Sequence, residues 1–305
     1  MQGILGLGSY LPAITRSNQA IVQSGVDTTD AWIQTRTGIK SRHIASNTDT
    51  TSSMALAAGK QALDKAGVRP DQLGAILVAT STPDYPGFPA VATQVQAGLG
   101  PIACPAWDIS AACAGFVVAL DCASRYDAPV LIIASDTLSR RVDWADRRTC
   151  ILFGDGAGAA VIGPVATGGI QTTLLQSHGA YADLLVISPA SGHIHMNGQA
   201  VFKLAVQCIM SGVTQALEQI GLHIDQISWF VPHQANSRIT QYAADKLGIP
   251  ESKQVQTIQD HGNTSAASIP IALAAYDTQF KPGDYVLLAG FGAGFTWGVS
   301  VIVWS

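Results

Sequence analysis

The stretch QALDKAGVRPDQ (residues 61–72) recurs later in the chain as QALEQIGLHIDQ (residues 215–226). Six residues are identical at a single offset of 154 positions, about half of the 305-residue chain, and the apolar pattern matches as well. A fixed internal offset of this kind indicates a duplicated structural unit. We therefore interpret the chain as two halves, residues 1–166 and 167–305, which meet near Pro164 to Gly169.

In each half, the repeated stretch closes a helix and leads into a buried strand. Apolar residues recur at spacings near 3.6 before Gly67 and again before Gly221, and a glycine at that place is typical of a left-handed C-terminal cap. The sequences LGAILVAT (73–80) and ISWFVP (227–232) are almost continuously apolar. Such runs are typical of parallel strands that are covered on both faces.

The alternation of helices and strands predicts the fold class. A further pair of apolar runs, VLIIAS (130–135) and VLLAG (286–290), follows in matching places of the two halves. Strands that alternate with helices favour right-handed crossovers and a parallel sheet. We expect an α/β protein with two pseudo-symmetric βαβ-type halves, packed as α/β/α/β/α layers. The uncharged, glycine-rich segment 286–304 is predicted to form two buried strands and a tight loop rather than a membrane helix.

Charge and cysteine content narrow the class of function. The chain has 17 Lys and Arg against 21 Asp and Glu, a formal net charge of −4, which argues against a nucleic-acid-binding surface. Only 12% of the residues are charged, against about 25% in an average soluble domain, and this favours an oligomer. The five cysteines include no CxxC pair, so a reducing, cytoplasmic setting is expected. The N-terminus does not have the pattern of a signal peptide, and we expect no membrane association.

Cys113 is the candidate nucleophile. It lies in DISAACAGFVVAL (108–120), where a strand is predicted to end and an apolar helix to begin. The positive end of a helix dipole lowers the pKa of a thiol, so we expect Cys113 to favour the thiolate. The small residues on both sides of it leave room for a substrate. The other four cysteines, Cys104, Cys122, Cys150 and Cys208, are interpreted as inert buried residues.

His233 and Asn263 are the candidate partners of this nucleophile. His233 follows the strand ISWFVP, and ligand sites in α/β sheets lie at the carboxyl ends of strands. Asn263, in HGNTSAASIP (261–270), is predicted to open the helix that matches the Cys113 helix across the repeat. A capped loop histidine and a helix N-cap asparagine are the structural alternatives.

Two other patterns do not indicate a cofactor site. The glycines of FGDGAGAAVIGP (153–164) precede a short β-branched run that ends at proline, which predicts a strand rather than the long helix of a dinucleotide site. His193 and His195 form an HxH pair without a third ligand pattern, so no metal is expected. The remaining histidines, His43, His178, His223 and His261, are interpreted as structural. The loop GFGAGFTWG (290–298) is instead a candidate for aiming backbone N–H groups at an oxyanion.

Taken together, these motifs resemble the thiolase superfamily and, within it, the β-ketoacyl-[acyl-carrier-protein] synthase III family. The matching stretches are WIQTRTGIKSRHIA (32–45), DISAACAGF (108–116), DRRTCILFGDGAGAAV (146–161), VPHQANSRI (231–239), HGNTSAASIP (261–270) and GFGAGFTWG (290–298). They span nearly the whole chain. The resemblance implies a thiolase-like fold and a Cys-His-Asn triad made of Cys113, His233 and Asn263.

The resemblance also implies an activity, namely the decarboxylative condensation of an acyl-CoA, most simply acetyl-CoA, with malonyl-acyl-carrier protein at the start of fatty acid synthesis. Cys113 would carry the acyl group, and the backbone N–H groups of Cys113 and Ala293 would bind the oxyanion. His233 and Asn263 would donate hydrogen bonds to the malonyl thioester carbonyl. The CoA thioester is a substrate, and neither a metal nor a tightly bound cofactor is implied.

Binding residues follow from the resemblance by motif position. Trp32 and Arg147 would hold the CoA adenine between them, and Arg36 and Thr37 would meet the phosphates. By the same resemblance, Phe202 and Asn236 would line the pantetheine tunnel. The surface that docks the carrier protein would include Arg238, Lys203 and Lys246. Phe88 resembles a phenylalanine that crosses the interface of a homodimer to close the acyl pocket of the partner.

Two residues depart from the family pattern and leave alternatives open. Arg148 stands in the nucleotide-contact strip where the family usually has glycine, and Asp245 stands where a second basic residue is common. One alternative is a specialised member that uses another acyl donor or acceptor in secondary metabolism. The others are a carrier-protein-binding subunit without catalysis and a Cys-His hydrolase.

Overall fold

The computed structural model describes residues 1–305, which form thirteen strands and ten α-helices joined by short 3-10 turns. In chain order, the strands are β1 (Gln2–Tyr10), β2 (Ile14–Ser17), β3 (Ser41–Ile44), β4 (Ala75–Ala79), β5 (Ala106–Ile109), β6 (Val130–Asp136), β7 (Gly156–Pro164), β8 (Gly169–Ser177), β9 (Leu185–Ile187), β10 (Ile194–Met196), β11 (Trp229–Pro232), β12 (Tyr285–Gly292) and β13 (Thr296–Val303). The helices are α1 (Asn18–Gln23), α2 (Asp30–Thr37), α3 (Thr51–Ala66), α4 (Val91–Leu99), α5 (Gly115–Ala123), α6 (Arg147–Cys150), α7 (Gly198–Ile220), α8 (Ser237–Leu247), α9 (Ile258–His261) and α10 (Ser268–Tyr276).

The first large sheet has five strands in the order β1-β7-β6-β4-β5. Strand β4 pairs in parallel with β5 and β6, whereas β7 is antiparallel to both β6 and β1. The predicted parallel sheet is therefore confirmed for β4, β5 and β6, whereas β7 runs against them, and β1, antiparallel to β7, runs in their direction. The chain returns at the same end of the sheet, because Asp136 at the end of β6 pairs with Gly156 at the start of β7, and such a return gives an antiparallel pair.

The second large sheet repeats this arrangement with four strands in the order β11-β12-β13-β8. Only β11 and β12 are parallel, and the antiparallel pair β12–β13 confirms the two buried strands predicted within 286–304. The predicted boundary between the halves, at 166/167, lies in the connection from Pro164 to Gly169, between the last strand of one sheet and the first strand of the other. The division into two domains remains a prediction.

The helices and the two sheets stack as five layers, which confirms the predicted α/β/α/β/α architecture. Helices α3 and α4 cover the outer face of the first sheet, and α7 and α8 cover that of the second. Helices α5 and α10 lie between the sheets in a shared core of 27 buried residues. Strands β4 and β6 are buried along their whole lengths, as strands with both faces covered must be.

The repeated stretch has the predicted local structure in both halves. Gly67 caps the C-terminal end of α3 and Gly221 that of α7, and both glycines are left-handed, with φ of 63° and 66°. The glycine at each place avoids the steric penalty that a Cβ atom would meet in this conformation. By length and hydropathy, α7 is also a candidate membrane span, but half of its most apolar window is buried, and its apolar face packs on the second sheet.

The two middle-layer helices begin in the same unusual way. A 3-10 turn, Ala112–Ala114, precedes α5, and a second turn, Ser265–Ala267, precedes α10. The first residue of each turn, Ala112 or Ser265, has a positive φ of 44° or 55°. These two residues lie 153 positions apart, as do the starts of the two helices. The duplicated unit therefore places two equivalent strained turns in contact at the centre of the molecule.

Candidate active site

Cys113 lies in the 3-10 turn that opens α5, and only 7% of its surface is exposed. The Ser265 hydroxyl donates a hydrogen bond to its Sγ atom at 3.4 Å. Burial raises the pKa of Cys113 to about 12, although this hydrogen bond and the cysteine's own N–H lower it, and the charge of Asp136 raises it further. Burial thus acts against the predicted thiolate, whereas the helix that begins next to the cysteine acts in its favour.

His233 follows β11 directly and is 1% exposed. Its Nδ1 atom lies 2.7 Å from the hydroxyl oxygen of Ser268, which also accepts the N–H of Gln234 at 3.1 Å. The Ser268 hydroxyl is fully used only if it donates its proton to Nδ1, which leaves the ring proton on Nε2. Burial lowers the pKa of His233 to about 3. His233 is thus a neutral imidazole with one free N–H donor.

Asn263 is oriented by the second strained turn. Its side-chain oxygen accepts the N–H of Ser265 at 2.9 Å, so the amide NH₂ group is left to donate. Its backbone also pairs with the first half, through Leu152 at 2.9 Å and Gly154 at 3.0 Å. Asn263 does not begin a helix as predicted, because α10 starts at Ser268 after the 3-10 turn. Thr264 is the N-cap residue of that turn, and Asn263 precedes it and accepts the N–H of the first residue of the turn.

Two cavities meet at Cys113. The first has a volume of about 460 Å³, and Cys113, His233 and Asn263 all line it. The second, of about 440 Å³, lies on another side of the same cysteine and is lined by Ala293 and Ser265 among others. The sequence-predicted binding residues that line the first cavity are Trp32, Arg36, Thr37, Arg147, Phe202, Asn236 and Arg238. Cys113 therefore lines two cavities at once, and the second of them is lined mainly by apolar residues.

The entrance of the first cavity carries an aromatic and cationic cluster. The guanidinium of Arg147 stacks over the Trp32 ring at 4.8 Å from its centroid, and that of Arg36 lies at 5.7 Å. A planar ring bound between Trp32 and Arg147 requires these side chains to separate. Arg148 also lines the cavity, but its Nε and Nη2 atoms pair with both carboxylate oxygens of Asp146 at 2.9 and 3.0 Å. In this position the positive charge of Arg148 is paired with the carboxylate of Asp146.

The other predicted contact residues lie on the surface. The guanidinium of Arg238 stacks over Phe202 at 5.9 Å, and Lys246 stacks over Tyr242 at 5.5 Å. Lys203 is exposed on α7, next to Phe202. Asp245 accepts a hydrogen bond from Gln241 at 2.8 Å on the outer side of α8. Phe88 is 87% exposed and lines neither cavity of its own chain.

The loop between β12 and β13 closes the site beneath Cys113. Ala293 and Gly294 line the second cavity together with the cysteine. A Cβ atom on Gly292 would lie 2.6 Å from the backbone nitrogen of Cys113 and 3.2 Å from its Cα atom. Only glycine allows the two backbones to approach this closely.

Comparisons with known proteins identify the family of this chain. Family models for 3-oxoacyl-[acyl-carrier-protein] synthase III match residues 107–179, and for its C-terminal part residues 217–304. The β-ketoacyl-[acyl-carrier-protein] synthase III of Rhodobacter capsulatus is 46% identical over 99% of this chain and 98% of its own length. The chain belongs to the β-ketoacyl-[acyl-carrier-protein] synthase III family.

Solved structures support the same membership. The 3-oxoacyl-[acyl-carrier-protein] synthase III of Aquifex aeolicus superimposes with a TM-score of 0.96 at 42% identity, with all of both chains covered. A priming β-ketosynthase of a polyketide biosynthetic pathway gives a TM-score of 0.94 at 35% identity, covering 100% of this chain and 97% of its own. The thiolase-like fold expected from the motifs is confirmed, and members of this family are acyl-transferring condensing enzymes.

Three residues of this synthase site were not identified from the sequence. Ser265 and Ser268 contact Cys113 and His233, respectively, and the Phe291 ring packs edge-on against the His233 ring at 5.1 Å between centroids. Both serines lie in the HGNTSAASIP stretch beside Asn263, and Phe291 lies in the glycine loop. In the sequence, their role is indicated only by their position inside motifs that contain other site residues.

Proposed function

We propose that this synthase III family member transfers the acyl group of an acyl-CoA to Cys113 and condenses it with malonyl-acyl-carrier protein, with loss of CO₂. The product would be a 3-oxoacyl-acyl-carrier protein, as at the start of fatty acid synthesis. The observation that carries the proposal is that Cys113 from one half and His233 and Asn263 from the other line a single cavity. A nucleophile and two hydrogen-bond donors in one pocket suit acyl transfer followed by enolate formation.

In the first half-reaction, the Cys113 sulfur would attack the thioester carbonyl and release CoA. The nucleotide would lie at the entrance against Trp32 and Arg147, with Arg36 near the phosphates and pantetheine along the tunnel toward the cysteine. The acyl chain would occupy the second cavity. The backbone N–H groups of Cys113 and Ala293 would bind the oxyanion, and both residues line that cavity.

In the second half-reaction, His233 and Asn263 would act together as donors. The orientation of Asn263 frees its NH₂ group, and the bond from Ser268 favours a proton on Nε2 of His233. Both groups would bind the malonyl thioester carbonyl and stabilise the enolate as CO₂ leaves. A neutral imidazole suits this role, since it donates a hydrogen bond without bringing a full charge into a buried pocket.

The test separates the two half-reactions. Acyl-CoAs of increasing length are incubated with the protein, and the mass added to Cys113 is measured; Cys113→Ser should abolish the addition, whereas Cys208→Ser, at another buried cysteine, should not. His233→Ala should still acquire the acyl group but lose decarboxylation of malonyl-acyl-carrier protein. Full condensation by His233→Ala would overturn the assignment of roles.

A second candidate is a specialised member that primes another pathway, and the similarity to a polyketide priming ketosynthase favours testing it. The same acyl-CoA panel distinguishes the two, because a primary synthase should prefer acetyl-CoA. Retention of the three triad residues argues against a subunit without catalysis. Failure of Cys113 to react with iodoacetamide at neutral pH would support that alternative.

The assembly and the docking surface are part of the same proposal. Phe88, which is 87% exposed, would close the acyl cavity of a partner protomer in a homodimer. Arg238, Lys203 and Lys246 lie on the neighbouring helices α7 and α8 and would attract an acidic carrier protein. Sedimentation of the protein and of Phe88→Asp tests the dimer, and charge reversal at Arg238 tests docking. The five free cysteines fit the proposed cytoplasmic setting.

A further inference from the structure

Four guanidinium groups line the first cavity, and no carboxylate lines it. They belong to Arg36, Arg147, Arg148 and Arg238, whereas the whole chain has only 17 Lys and Arg residues and a net charge of −4. A cleft lined by charges of one sign attracts ligands of the opposite sign. The cavity therefore suits a ligand that carries several negative charges.

Three of these four arginines already have a place in the proposed function. Arg147 would hold the adenine, and Arg238 would meet the carrier protein. Arg36 lies on the side of the pantetheine tunnel, because its carbonyl oxygen accepts a hydrogen bond from the side-chain amide of Asn236 at 3.1 Å. Arg148 is the fourth, and it has no assigned partner in the ligand.

The side chain of Arg148 is oriented by Asp146 but not fully used by it. The Nε atom of Arg148 lies 2.9 Å from one carboxylate oxygen, and its Nη2 atom lies 3.0 Å from the other. The same carboxylate accepts the backbone N–H of Arg148 at 2.9 Å. No hydrogen bond is formed by the Nη1 atom, which carries two N–H groups. Asp146 therefore fixes the guanidinium and leaves one of its edges free to donate to a ligand.

This ion pair is also a weak competitor for a phosphate group. The Arg148 side chain is 74% exposed, and exposed ion pairs contribute little to stability. A phosphate offers several oxygens to the parallel N–H groups of a guanidinium. Arg148 can therefore keep Asp146 and donate from Nη1, or exchange the carboxylate for the phosphate.

The order of groups in CoA decides which phosphate would meet Arg148. The diphosphate joins the ribose to pantetheine, so it would lie toward the tunnel, where Arg36 contacts Asn236. Arg148 follows Arg147 directly and lines the same cavity, which places it on the adenosine side. The phosphate on this side is attached to the 3′ oxygen of the ribose. It is a terminal group with three free oxygens and a charge of about −2.

We propose that Arg148 recognises the 3′-phosphate of the acyl-CoA, so that this synthase selects acyl-CoA over thioesters that lack this phosphate. The inference rests on the function proposed above and names a specificity-determining residue for its first substrate. Asp146 is a positioning residue, since it acts on the ligand only through Arg148. The arginine that departs from the family pattern then strengthens the binding of CoA.

The test compares acetyl-CoA with acetyl-3′-dephospho-CoA as acyl donors to Cys113 in the full-length protein. In the wild type, KM for the dephospho thioester should exceed KM for acetyl-CoA by about 10-fold or more, the effect of one charge-assisted hydrogen bond at an exposed site. The value of kcat should be the same for both donors. In Arg148→Gln the difference in KM should largely disappear, because KM for acetyl-CoA rises while KM for the dephospho thioester stays unchanged.

Arg69→Gln is the matched control, because Arg69 has the same kind of ion pair away from the site. Its Nε and Nη2 atoms lie 3.0 and 3.2 Å from the carboxylate oxygens of Asp71, and its side chain is 69% exposed. Arg69 lines neither cavity. Arg69→Gln should therefore discriminate between the two thioesters as the wild type does.

A double variant, Asp146→Asn with Arg148→Gln, separates attraction by the arginine from repulsion by the carboxylate. Removal of Arg148 alone leaves the charge of Asp146 unpaired near the ligand, and this charge would repel a phosphate by itself. Asparagine keeps an oxygen for the backbone N–H of residue 148 but carries no charge. The double variant should also lack the discrimination. If it recovers the wild-type difference in KM, Arg148 only masks Asp146, and the inference is wrong.

Calorimetric binding of CoA and 3′-dephospho-CoA keeps this inference separate from the proposed function, because it needs no acyl transfer. If the wild type gains no acyl group from either thioester but binds CoA more tightly than dephospho-CoA, the proposed function fails and the recognition of the phosphate stands. If the wild type binds both equally well, the inference is wrong. It is also wrong if Arg148→Gln binds CoA as tightly as the wild type, or more tightly, since Arg148 would then be neutral or an obstacle to the nucleotide.

Discussion

Removal of the Ser268 hydroxyl tests how the orientation of His233 is maintained. In Ser268→Ala, the Nδ1 atom of His233 loses its 2.7 Å bond, and the N–H of Gln234 loses its 3.1 Å acceptor. Both groups are buried, so neither bond is replaced by bulk water. The Nδ1 bond is the one that holds the Nε2–H group toward the cavity.

The expected size of the effect follows from this one bond. Leaving a buried acceptor unsatisfied costs about 1–3 kcal/mol. If the whole loss falls on the transition state for decarboxylation, the rate falls by roughly 5- to 150-fold. Self-acylation should change much less, because His233 is not assigned a role in that step.

The assay measures CO₂ release from malonyl-acyl-carrier protein by enzyme alkylated at Cys113, and acetyl transfer from acetyl-CoA by unmodified enzyme. Ser268→Thr retains the hydroxyl and should recover part of the decarboxylation rate, whereas Ser300→Ala controls for loss of a buried hydroxyl elsewhere. Equal losses in both half-reactions, or a wild-type rate of CO₂ release in Ser268→Ala, would refute the reasoning.

Three further predictions concern the glycine loop, the entrance and pH. Gly292→Ala should reduce self-acylation at least about 100-fold, because its Cβ would lie 2.6 Å from the Cys113 nitrogen, whereas Gly179→Ala, in open space, should have no effect. Trp32→Ala should raise KM for acyl-CoA roughly 5- to 150-fold through lost stacking and leave kcat unchanged; a fall in kcat alone would contradict this. His233 has a folded pKa of about 3, below its ordinary 6.5. The free energy of unfolding should therefore be highest, as far as His233 affects it, above pH 6.5, and should fall by roughly 1.4 kcal/mol per pH unit as the pH drops toward 3. Denaturant titrations of His233→Gln should not show this pH dependence.

The architecture was predictable because its signals are local and repeated. The spacing of residues in the sequence directly predicts the capping glycines, Gly67 and Gly221, and the apolar runs that form β4 and β11. The direction of β7 could not be predicted, because an apolar strand has the same composition whether it runs parallel or antiparallel. Direction depends on how residues 137–155 return to the sheet, which is a property of the whole connection.

The side chains of the site also include some that the sequence predicts and some properties that it does not. Trp32, Arg147 and Asn263 were identified from motifs, and they line the cavity together. The helix that follows Cys113 and favours the thiolate can be seen in the sequence, whereas the burial of the sulfur, which raises the pKa of Cys113, cannot. The pairing of Cys113 with Ser265 joins residues 152 positions apart, and only the packed turns reveal it.

The two strained turns also constrain how this enzyme can be recombined. A chimaera joined between Pro164 and Gly169 would inherit each large sheet intact from one parent. It would nevertheless combine the sulfur of one parent with the imidazole, carboxamide and serine hydroxyl of the other. Such a chimaera would also form the shared core from two parents, so both its stability and its turnover would measure how well the two halves fit each other.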